Sequence, residues 1–95
     1  MKFKLVPDKK FIRNYAKLTA VEQKQLDAKL IRLAENPFHP SLRTKRIQGT
    51  ASLYESSVNM DIRLIWHYEN KHIILMLDIG HHNILNKQGG GRRWE

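Results

Sequence analysis

Between Leu53 and Leu85 the apolar positions follow a period of two. Ile62, Leu64, Trp66 and Tyr68 fall on one side of that repeat, and Arg63, Ile65 and His67 on the other. This pattern predicts a strand over Asp61–Tyr68, preceded by a strand over Leu53–Asn59. The next run, His72–Ile79, is almost wholly apolar, as a central strand covered on much of both faces should be. A tight turn at Glu69-Asn70 joins the last two strands, and the third ends in Gly80-His81-His82-Asn83. If Tyr54 and Val58 face the core, Glu55 and Ser57 lie on the Arg63 side.

The first half has a different period. Lys2 to Val6 alternates and suits a short strand, which Pro7-Asp8 stops; Asp8 can cap a helix that follows. Phe11, Tyr15 and Leu18 then share one helical face. A break at Leu18-Thr19 precedes a second helix, announced by Thr19 and Glu22 at capping-box spacing. Leu26, Leu30, Leu33 and Ala34 give that helix its apolar stripe, and Asn36-Pro37 ends it. Phe38 to Ser52 is expected as a loop. The predicted class is α+β: a small antiparallel sheet in the order β-α-α-β-β-β, with an N-terminal helical hairpin on one face.

Composition narrows the class of protein. Ninety-five residues make one small domain. No apolar run approaches the roughly 20 residues of a membrane span, and the N-terminal apolar segment is too short for a signal peptide, so a cytoplasmic location and no membrane partner are expected. The absence of cysteine excludes disulfides and thiolate metal sites. Seventeen Lys and Arg against nine Asp and Glu give +8 at pH 7, a field that attracts polyanions: nucleic acid, or an acidic protein. Solubility alone is the plainer account of such a balance. Residues 89–95 are expected as a flexible Gly/Arg tail outside a domain of residues 1–88.

Taken in order, the motifs K-x-x-x-G from Lys45 to Gly49, Y-E-x-x-V from Tyr54, D-I-R-L-I-W from Asp61, and the strand ending in Gly80-His81-His82 resemble the RelE/ParE superfamily, and within it the RelE/YafQ-like branch. These are toxins of bacterial and archaeal type II toxin-antitoxin modules. The likeness runs from residue 2 to about residue 87 and rests on the order of the motifs. It implies a toxin that inhibits translation by cleaving mRNA, on the ribosome in most RelE-like members. It also implies a cognate antitoxin as partner and operator DNA bound by the toxin-antitoxin complex. ParE-like members inhibit DNA gyrase instead, and a member without catalysis that only binds antitoxin and operator is a third alternative.

Cleavage of RNA by its own 2′-hydroxyl needs a base for the 2′ proton, cations for the phosphorane charge and an acid for the 5′ leaving oxygen. It needs no metal, and neither cofactor nor metal is expected. An imidazole can serve as either acid or base near neutral pH, and His82 follows a strand end, where the likeness places a leaving-group residue; a turn-capping histidine is the plainer alternative. Arg63 can grip a phosphate bidentately, or simply pair with Glu55 across the sheet. Glu55 is a candidate base. The best-known family pattern has two lysines where Glu55 and Ser57 stand, and an aromatic after the His82 region that is missing here. Asp61 corresponds to an aspartate functional in some relatives, and is otherwise a turn residue opening its strand. Lys45 matches a catalytic basic position of several relatives. Arg43, Lys45 and Arg46 form a cluster suited to an RNA backbone, with Ser57 and His81 as further contacts. His81 and His82, being adjacent, are expected to diverge, which also argues against a His-His metal pair.

Overall fold

The structure, a computed structural model, describes residues 2–82. The expected Gly/Arg tail and the last residues of the expected domain lie outside them. The elements are β1 (Lys4–Pro7), α1 (Lys9–Tyr15), α2 (Ala20–Glu35), a 3-10 turn (Pro40–Leu42), β2 (Lys45–Arg46), β3 (Tyr54–Ser57), β4 (Ile62–Tyr68) and β5 (Ile73–His81). Among the described residues, no helix is long and apolar enough to cross a membrane.

Both helices start where their caps dictate. The Asp8 side chain accepts the Lys9 N–H, and Thr19 and Glu22 exchange the two bonds of a capping box. At the far end of α2, Asn36 is extended because Pro37 follows it.

The sheet runs β1-β5-β4-β3-β2. From β2 to β5 every pairing is antiparallel, as the alternation predicts. The N-terminal strand pairs parallel to β5, so the sheet is mixed rather than purely antiparallel. The chain between β1 and β5, which holds both helices and the other three strands, gives the long connection that a parallel pairing needs. A fifth strand arises inside the expected loop, where Lys45 and Arg46 pair with Glu55 and Tyr54. The β4–β5 connection is longer than a two-residue turn: the N–H groups of Glu69 and Asn70 both reach the Ile73 carbonyl.

One face of the sheet carries the core. Ile62, Leu64, Trp66, Ile74, Met76 and Ile79 pack against Phe11 of α1 and Leu26 and Leu33 of α2. Trp66 has no exposed surface, and its indole N–H donates to Ser56 Oγ at 2.8 Å. Ser56 in turn meets Thr44 Oγ1 at 2.7 Å, and Thr44 donates to the Pro37 carbonyl at 2.6 Å. This relay satisfies the polar groups of Trp66, Ser56 and Thr44 and ties the loop to the sheet. A second cluster, Ile47, Leu53 and Ile65 with Leu77 against it, sits on the opposite face.

That opposite face depends on a β-bulge. Ile65 pairs with Asp78 while Trp66 pairs with Met76, so Leu77 is an extra residue on β5. The bulge lets Ile79 and Met76 both face the helices and puts Leu77 with Ile65 on the other side. Asp78 is fully buried beside it, accepting from Asn14 Nδ2 at 2.6 Å, with Lys10 Nζ at 3.5 Å. These contacts fasten α1 along β5.

Candidate active site

The face away from the helices gathers most of the candidate residues in two rows. Lys45, Glu55, Ile65 and Asp78 form one row across four strands, and Ser57, Arg63 and Gly80 the next. Glu55 and Ser57 therefore do share a face with Arg63, as the alternation predicts. Glu55 is buried and its ion pair is with Lys45, at 3.7 Å.

The Arg63 guanidinium donates through Nη1 to the carbonyls of Asn59, at 2.8 Å, and Ile62, at 3.2 Å. Both described bonds use one nitrogen of a group with five N–H donors, which leaves a guanidinium edge for an anion. Asn59 was not evident from the sequence, although it orders the whole turn. Its Oδ1 accepts the N–H groups of Asp61 and Ile62, both at 2.7 Å, and its Nδ2 donates to Gln25 on α2 at 2.7 Å. The available signal was an asparagine at the last position of the strand expected over Leu53–Asn59, a residue type that favours turns.

The most consequential geometry lies at the sheet end. Ile62 pairs with His81, which brings Asp61 alongside the end of β5. Asp61 there accepts hydrogen bonds from both neighbouring histidines: Oδ2 from His81 Nδ1, and Oδ1 from His82 Nδ1 at 3.0 Å. The expected divergence of the two imidazoles does not occur, because β5 ends at His81 and strand alternation no longer separates the ring that follows. Asp61 is likewise more than a turn residue. Its carboxyl is lowered to about 2, first by the His82 hydrogen bond and then by that of His81.

An ionised carboxylate can only accept, so both Nδ1 atoms must carry protons. Each Nε2 is then the atom available to take or give a proton. Among the described residues, no group of three or more His, Cys, Asp or Glu side chains is arranged to hold a metal ion.

The basic loop does not act as one cluster. Lys45 pairs with Glu55 on the site face, whereas Arg46 pairs with Tyr54, whose ring stacks on Trp66 on the helix face. Successive strand residues point to opposite sides, and a two-residue strand separates these two cations. Arg43 sits at φ 49°, in the left-handed region, capping the 3-10 turn. There it lines a shallow depression with Ser57, Asn59 and Lys29. The structure thus brings Lys45, Glu55, Ser57 and Arg63 to one face, with Asp61, His81 and His82 at its end, and Arg43 at its margin.

No family model matches the chain, and no curated protein matches it in sequence. Solved structures do match. The RelE chain of the archaeal RelE-RelB complex from Pyrococcus horikoshii OT3 superposes with a TM-score of 0.69 at 17% identity, over 85% of this chain and 96% of that one. A mutant of E. coli RelE in the free state gives a TM-score of 0.73 at 18% identity, over 98% and 97%. YafQ from E. coli gives 0.69 at 16% identity, over 87% and 97%. Similarity at this level of identity establishes architecture, and the described chain has the fold of the RelE/ParE-type toxins, the likeness expected from its motifs.

Proposed function

We propose that this chain is the toxin of a toxin-antitoxin module and acts as an endoribonuclease on mRNA, with translation as the process it stops. One observation carries the chemistry: Asp61 holds the Nδ1 atoms of His81 and His82 beside a strand that presents Arg63.

In this reading the scissile phosphate lies against the Arg63 guanidinium, which neutralises the phosphorane as charge develops. A neutral Nε2 takes the proton of the 2′-hydroxyl. The 2′ oxygen attacks phosphorus and the bond to the 5′ oxygen breaks. A protonated Nε2 returns a proton to that oxygen, leaving a 2′,3′-cyclic phosphate and a free 5′-hydroxyl. Asp61 fixes both tautomers and stabilises whichever ring is charged. Glu55, salt-bridged by Lys45, adds negative charge on the same face and is a second candidate base, with Ser57 and Arg43 as backbone contacts.

The fold supports an antitoxin as partner, since its structural neighbours include RelE-RelB complexes. A charge of +8 suits an acidic or amphipathic antitoxin segment that folds on binding, and suits operator DNA contact by the complex. Cytoplasmic action on ribosome-bound message follows from the same reading.

Cell-free translation with primer extension on the message tests this. New 5′ ends in the wild type, lost in His82→Ala, are the expected result. Intact message together with inhibition of DNA supercoiling would transfer the chain to the gyrase-inhibiting class.

A further inference from the structure

The site face continues past Ile65 into a groove of about 590 Å³. That volume lies within the ~300–1,000 Å³ span of small-molecule sites. Its floor is apolar: Leu53, Leu75 and Leu77, the last placed there by the β5 bulge. Its wall includes His67, which shares a face of β4 with Arg63, about 13 Å away at strand rise. His67 Nε2 is shut off from solvent and has no hydrogen-bond partner among the described residues; Glu69 Oε1 stands 3.6 Å off, too far for one.

The charges around the groove decide what fits. Asp8 and Glu69 are acidic, and the one lysine there, Lys10, is already ion-paired with Asp78. In a chain of +8 this is a locally uncationic spot, unsuited to a phosphate. An apolar floor edged by carboxylates and an imidazole instead suits a flat, uncharged heterocycle with donors and acceptors on its rim.

We propose that the groove is a base-selecting subsite, taking one unpaired nucleobase of the RNA strand whose scissile phosphate lies at Arg63 and His82. This rests on the ribonuclease reading for the strand's direction, though not for the groove's affinity for a base. The base lies over Leu75 and Leu77 against the His67 ring, and its edge exchanges hydrogen bonds with Glu69. The backbone runs along β4 to Arg63.

Short single-stranded oligonucleotides with 2′-O-methyl groups throughout cannot be cleaved, so they separate binding from catalysis. Anisotropy titration of a set differing in one base is expected to show a preference among the four. Ser52→Trp, which fills the groove from an exposed rim position, and His67→Phe should each weaken binding about tenfold and flatten that preference. His67→Phe carries the test should the tryptophan variant melt early. Wild-type affinity and preference in folded variants would overturn the proposal, as would failure of every oligonucleotide to bind. Groove-dependent binding by a chain that cleaves no message would sustain the subsite and remove the nuclease.

Discussion

His82 and Asp61, 21 residues apart in sequence, meet at 3.0 Å across the ends of β5 and β4. The register that pairs Ile62 with His81 creates the contact, and Asn59 locks the turn that delivers Asp61 to it. The same carboxylate holds His81, so one acid positions two imidazoles.

Removing the acid while keeping its shape should separate positioning from folding. Asp61→Asn is expected to lower message cleavage by about 10²-fold or more, comparable to His82→Ala, since general acid-base groups contribute about that much. Thermal melting should place Asp61→Asn close to wild type, because the contacts are exposed. Cleavage at the wild-type rate in both variants would show that the reaction does not use this cluster.

Arg63→Lys keeps the charge but loses the planar fork. Cleavage is expected to fall by at least tenfold in the lysine variant, because a bidentate phosphate grip needs the guanidinium. The measurement is single-turnover cleavage, with antitoxin affinity as the control that should stay unchanged.

The histidine bonds also set an acid response. Asp61 is lowered in the folded chain, to about 2 from 3.8, so the unfolded chain takes up the proton first. Its contribution to stability is complete above about pH 4 and is lost as pH falls toward about 2. A carbon-detected NMR titration of the Asp61 carboxyl should show this low midpoint in the wild type. In His82→Ala the midpoint should rise, as the largest lowering influence is gone.

Ser56→Ala strands the Trp66 indole N–H in the core and cuts the relay to Thr44. A buried unsatisfied donor costs about 1–3 kcal/mol, and the lost Thr44 link should place this variant toward the upper end. Urea denaturation measures it. Leu26→Ala, at a site with no exposed surface, should cost about 2–5 kcal/mol by the same assay.

Local chemistry was enough to announce much of this fold. Thr19 and Glu22 announced the start of α2, Pro37 its end, and the alternation from Ile62 to Tyr68 the two faces of β4, including the shared side of Glu55, Ser57 and Arg63. The candidate site was legible as residue types. The bond that organises it was not, since two adjacent histidines look divergent until the strand is known to end between them. The parallel placement of β1, the two-residue β2 and the Leu77 bulge were equally hidden.

Periodicity, caps and charge thus determined by themselves the helices, the central strands, the basic character and the imidazole-guanidinium inventory. Tertiary structure alone decided that Asp61 would bridge His81 and His82, that Arg46 would leave the site face, and that Asn59 would order the turn. The physical reason is range. A cap or an alternating face is fixed within a few residues, whereas register and bulges are set by the packing of whole strands against the helices, and no local pattern encodes that.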